Sequence, residues 1–128
     1  MGEGVWGKLY HEHDRGMLDV SSAGEQAVHP GEWNRYEILA VEHRIWIAIN
    51  GRLAVAAQDP VGELSGLLAF QLHAGPPQEA RFRKILLDVD PDVEMSGIDR
   101  AELEAAVGSV PADGNVVWRG QRRRLVTP

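Results

Sequence analysis

The sequence predicts an all-β chain built on antiparallel sheet, and three observations carry this. Strand-like segments recur five times in under sixty residues, turn residues separate them, and no helical period runs between them. Trp33 to Val41 (WNRYEILAV) and His43 to Asn50 (HRIWIAIN) are rich in β-branched and aromatic side chains, and the second sets Ile45, Ile47 and Ile49 against Arg44, Trp46 and Ala48. Asn50-Gly51 then reads as a two-residue type I′ turn, because both central positions need positive φ and this pair tolerates it best. Arg52 to Gln58 returns as the partner strand, and Asp59-Pro60 ends it. Leu67 to His73 (LLAFQLH) is expected as the fourth strand, stopped at Pro76-Pro77, since proline cannot donate to a ladder. Glu79 to Val89 (EARFRKILLDV) is expected as the fifth.

The flanks read differently. Gly4 to Val20 suggests a strand fragment and a polar loop. Asp99 to Val107 (DRAELEAAV) is a short amphipathic helix with acidic residues in its first turn and Gly108 as its expected stop. In the tail, Val116-Val117-Trp118 is expected to pair with Leu125-Val126 as a hairpin.

Composition narrows the function classes. The chain has 128 residues, 44% hydrophobic and 25% charged, so it is long enough to bury roughly two thirds of its unfolded surface. Without cysteine there is no disulfide framework, no thiolate metal site and no thiol nucleophile. Thirteen basic against nineteen acidic side chains give a net charge of −6, which argues against nucleic acid as a partner. Arg119, Arg122, Arg123 and Arg124 are the exception and read as a solvated tail or a contact for an acidic partner. The opening residues resemble neither a signal peptide nor a membrane span, so no membrane is expected as partner and no localisation is assigned.

Three stretches taken in order carry a resemblance: GEWNRYEILA (Gly31 to Ala40), INGR (Ile49 to Arg52) and LLAFQLHAGPPQEARFRKI (Leu67 to Ile85), with WGKLYHEHDRG (Trp6 to Gly16) upstream. Together they resemble the C-terminal half of the 3-keto-disaccharide hydrolase domain family, over roughly residues 5 to 89. The resemblance implies a concanavalin A-like, lectin/glucanase jelly-roll sandwich, here partial and with a short C-terminal helix. Residues 1–90 would be the partial sandwich, and 91–128 a C-terminal extension with the helix and basic tail. The family's opening strands, with their Glu-x-Gln-x-x-Asp-like segment, have no counterpart in this sequence. Half a sandwich would expose the apolar faces of Trp33, Ile38, Ile45, Ile47, Leu68, Phe70 and Phe82. Losing such burial forfeits on the order of 10 kcal/mol, comparable with a whole domain's stability. A homodimer, a missing N-terminal half, or cover from the C-terminal extension would make up that loss.

The candidate site follows from strand alternation and the resemblance. In Leu67 to His73, Gln71 and His73 share the face opposite Leu68, Phe70 and Leu72. Gln can bridge sugar hydroxyls and His can move a proton near neutrality, although the pair also fits a plain solvated face. Arg81, alternating with Glu79 and Arg83, could hold a carbonyl or hydroxyl, or simply form ion pairs. Glu37 is a candidate general base or a partner for Arg35 or Arg44, and Trp46 either stacks on a pyranose or belongs to the core. Asn34 joins Gln71, Arg81 and Trp46 as a substrate-binding candidate. His11, Glu12, His13 and Asp14 are the densest group of potential metal ligands, and they read as a solvated loop.

No carboxylate pair with glycosidase character is identifiable. The resemblance implies another route on a carbohydrate partner: a 3-oxo group acidifies the C2 proton, a base removes it, the C1 substituent leaves, and water adds back. His73 or Glu37 would be the base, with an electrophile at the 3-oxo group. The cofactor stays open between none and a divalent metal ion. A non-catalytic carbohydrate-binding or interaction module on the same fold is the alternative.

Overall fold

The computed structural model describes residues 5–19, 21–110, 116–117 and 124–125. Among the described residues, eight short strands and two short helices make a β-rich fold in antiparallel and mixed sheets. Its centre is a meander of β3 (Tyr36–Val41), β4 (Arg44–Ile49) and β5 (Arg52–Gln58). Asn50 at φ 52° and Gly51 at φ 79° close the β4–β5 turn, both in the left-handed region a type I′ turn demands. Opposite pairs Ile38 with Ile47 and Trp46 with Ala56 set the register, and a bulge after Ile47 turns both Ala54 and Val55 inward.

The two faces of this sheet are covered by different parts of the chain. On one, Leu39, Trp46 and Ala48 pack against Val93, Met95, Ile98 and Leu103. The last of these lies in α2 (Arg100–Ala106), entered from Asp99. Residues beyond position 90 therefore close this face. On the other face, Ile47, Val55 and Ala57 pack against Leu18 and Val110, with Leu9 alongside. Leu9 and Leu18 belong to the ribbon of β1 (Leu9–His11) and β2 (Gly16–Asp19), and α1 (Ala23–Ala27) leads on towards β3. Burial on both faces explains why β4 is apolar at nearly every position from Ile45 to Ile49.

Several expectations are corrected. Leu67 to His73 and Glu79 to Val89 form no ladder. In a meander the next strand would pair with β5, but the end of that edge is held by β6 (Gly108–Ser109), parallel to Ala57 and Gln58, with the Val110 N–H donating to the Gln58 carbonyl at 2.9 Å. Alternation fixes which side chains share a face, and it cannot supply a partner strand. Gly108 is not the helix stop: the helix ends at Val107 in extended conformation, and Gly108 enters β6. Trp33, Ile38, Leu68, Phe70 and Phe82 are exposed as the half-sandwich argument expects, whereas Ile47 is buried and Ile45 half-buried beneath the β1–β2 ribbon.

The tail hairpin forms between β7 (Val116–Val117) and β8 (Arg124–Leu125), with Val116 opposite Leu125. Trp118, Val126 and the basic run from Arg119 to Arg123 lie outside the described residues. Among the described residues, no helix is long and apolar enough to cross a membrane.

Candidate functional site

Side-chain chemistry separates the six expected site residues. His73 is exposed, and its Nδ1 lies 2.6 Å from the Ala74 carbonyl oxygen. A carbonyl oxygen only accepts, so Nδ1 carries a proton in this contact, and in the neutral ring Nε2 is the nitrogen with the lone pair. Gln71 is exposed beside it in sequence and donates from Nε2 to Glu12 Oε1 at 3.4 Å, reaching the turn between β1 and β2. Arg81 Nε donates to Glu79 Oε1, the local ion pair that was the alternative to a ligand contact. The neighbouring Arg83 guanidinium stacks over Trp33, 4.0 Å from the ring centre.

Glu37 is half-buried on β3, and both of its oxygens are engaged. Oε1 pairs with Arg35 Nε at 3.0 Å, and Oε2 accepts from the Ser96 N–H at 3.2 Å. Arg35 also donates to Ser96 Oγ at 2.5 Å, so this carboxylate ties β3 to the C-terminal cover. Among the described residues no hydrogen bond or ion pair links Glu37 with His73.

Two candidates are committed elsewhere. Trp46 is fully buried and its indole N–H donates to the Leu103 carbonyl at 2.7 Å, so neither ring face is open to a pyranose. Asn34 spends its whole hydrogen-bonding capacity on the chain itself. Its Oδ1 accepts from the His29 N–H at 2.7 Å and from Asn50 Nδ2 at 2.8 Å, while its own Nδ2 donates to the carbonyls of His29 and Glu32. Asn50 adds a bond to the Ala27 carbonyl, so the turn residue also anchors α1 to the sheet.

The sequence reading missed a buried charge cluster. Arg15 and Asp59, 7% and 5% exposed, form a bidentate pair at 2.7 and 2.6 Å. Arg15 Nε donates to His11 Nδ1 at 2.9 Å, and His43 Nδ1 lies 3.1 Å from the Asp59 carbonyl. The Arg15 hydrogen bonds hold the Asp59 carboxyl below its ordinary range against the opposing effect of burial, and Asp59 in turn raises Arg15. Forty-four positions separate the two, so no local spacing announces them. Burial likewise pushes the Tyr36 phenol up, opposed by its hydrogen bond with the Gly7 backbone.

Depressions on the described surface include the following two. An open one of about 700 Å³ runs along Asp92 to Arg100, and a small one of about 20 Å³ lies beside His43 and Asp59. The second is too small for a sugar. No group of three or more His, Asp or Glu is placed to hold a metal among the described residues, and His11 to Asp14 hold none together.

Against this geometry, the model of the family described as the 3-keto-alpha-glucoside-1,2-lyase-like domain matches residues 2–88. The chain belongs to this family. The match spans the meander and the Leu67–Val89 segment up to Asp88, so Glu37, Gln71, His73 and Arg81 all fall inside the family domain. No curated protein and no solved structure gives a significant match to the chain.

Proposed function

We propose that the chain is a 3-keto-glycoside-processing domain, working by base-assisted elimination across C1 and C2 and then hydration. The family match over residues 2–88 carries this reading, because a 1,2-lyase of a 3-keto-α-glucoside is described by that elimination. The C3 carbonyl stabilises the carbanion formed when the C2 proton is taken. Its electron pair then forms the C1–C2 double bond and expels the C1 oxygen of the leaving group. Addition of water returns hydroxyl to C1 and a proton to C2, so the net change is hydrolysis.

His73 is the base this reading selects. Its Nε2 lone pair is free and exposed, whereas both Glu37 oxygens are held by Arg35 and Ser96. Gln71 and Arg81 would orient hydroxyls and the 3-oxo group through hydrogen bonds. No step is routed through a metal. The same reading includes the finer fold, a partial concanavalin A-like jelly roll over residues 1–90, with 91–128 as its extension.

Turnover of a 3-keto-glucoside by the full chain, followed by product NMR, tests the proposal. His73→Gln is expected to lower the rate at least ~100-fold and Glu37→Gln only a few-fold. A His73→Gln variant at the parental rate would overturn the assignment of the base. The second reading, a carbohydrate-binding module without turnover, is favoured by the lack of any link between Glu37 and His73. A saturable heat of binding to the same sugar with no product formed would select it.

A further inference from the structure

Among the described tryptophans, Trp46 is fully buried, Trp6 is partly covered, and Trp33 is 50% exposed. An indole carries one of the largest apolar surfaces of any side chain, so leaving half of it in water forgoes burial that the fold takes elsewhere. The backbone at this ring is fixed. Asn34 beside it accepts from the His29 N–H and donates to the carbonyls of His29 and Glu32, and the Arg35 N–H donates to Asn50 Oδ1 at 2.9 Å. Trp33 is therefore tied to the β4–β5 turn on one side and to the chain before β3 on the other. The Arg83 guanidinium lies over the indole, 4.0 Å from its centre, and closes one face. The exposed half then belongs to the opposite face and the rim.

Two contacts carry this ring to the candidate site. The Phe70 and Phe82 rings lie 4.4 Å apart, which brings together the two stretches of chain that hold Gln71 and Arg81 as their immediate neighbours. Arg83 follows Phe82 directly, and its stacking adds Trp33 to the same group. We propose that Trp33 is the stacking platform for the pyranose of the substrate, the role that Trp46 cannot fill from the core. A pyranose has a face of C–H groups edged by hydroxyls. The C–H face suits the open side of an indole, and the hydroxyls match the amide of Gln71 and the guanidinium of Arg81. The ring touches no bond that changes, so it holds the sugar equally before and during the reaction. Arg83 is a positioning residue, whose guanidinium keeps the indole turned with its other face outward. This inference rests on the carbohydrate reading of the proposed function, in either its catalytic or its binding-module form.

Steady-state turnover of a 3-keto-glucoside by the full chain tests this. Trp33→Ala is expected to raise KM ~10-fold with kcat nearly unchanged, and Trp33→Tyr to restore most of the affinity because it keeps a flat ring. Arg83→Gln is expected to raise KM ~3-fold, again with kcat unchanged. Where the parent binds the sugar without turnover, the dissociation constant from calorimetry takes the place of KM and the same order holds. NMR on the unmodified chain gives a measure that no folding defect can obscure. Indole protons of Trp33, assigned by their loss in Trp33→Tyr, should show intermolecular contacts to the C–H protons of the bound sugar. A parent that converts or binds the sugar, with Trp33→Ala matching it in affinity or with no Trp33 contact to the sugar, would overturn the platform and leave the proposed function standing. So would a Trp33→Ala loss confined to kcat. A parent that neither binds nor converts the sugar would overturn both.

Discussion

Residues 36–58 and residues 64–89 both carry alternating apolar patterns, yet only the first becomes sheet. The meander needs nothing from outside itself to find its register: each hairpin is closed by a two-residue turn, and each strand has its partner a few positions away. The second region has the side chains of two strands, but neither Leu67–His73 nor Glu79–Val89 joins a ladder among the described residues. Its Phe70 and Phe82 rings meet at 4.4 Å, but Leu67 is 99% and Leu86 94% exposed. The difference shows that alternation specifies a face, while a strand also requires a partner strand set in register beside it.

Truncating the meander's most enclosed side chain should break its advantage most severely. Trp46→Ala removes a fully buried ring and leaves the Leu103 carbonyl without its donor, so a loss of ~5 kcal/mol is expected in urea unfolding. Retention of parental stability would contradict the packing of α2 on the sheet. Asp59→Asn should cost about 3–4 kcal/mol, because it leaves the Arg15 guanidinium buried beside an uncharged amide. The same pair sets an acid limit. The Asp59 carboxyl titrates lower in the folded chain than in the unfolded one, so its contribution is complete above the unfolded value near ~3.9 and disappears as pH falls through the folded value. The melting temperature should therefore lose this contribution only at acid pH, and Asp59→Asn should flatten that part of the profile. In the second region, Leu67→Ser should change stability by less than ~0.5 kcal/mol when measured on dilute monomer. A large loss there would mean that residues 64–89 are packed after all.

Local chemistry made much of the fold legible. Asn50-Gly51 announced its turn through the φ values it tolerates, and the acidic first turn of DRAELEAAV announced α2. The choice between core and ligand for Trp46 could not be made from its own strand, because what encloses it is Leu103, fifty-seven positions away. Asn34 was similarly opaque: only the fold reveals that His29, Glu32 and Asn50 use all of its amide. For the candidate site, residue types could nominate both Glu37 and His73. It took the Ser96 N–H, from a segment that pattern reading set aside as an extension, to show that both oxygens of Glu37 are engaged.

The parallel pairing of Gly108–Ser109 with β5 has a consequence during synthesis. The hairpins leave the ribosome roughly fifty residues before the strand that finishes their sheet and the helix that shields Trp46. Through that interval the nascent chain carries a half-clad layer of isoleucine and tryptophan, a substrate for chaperones until its final third emerges to clasp it.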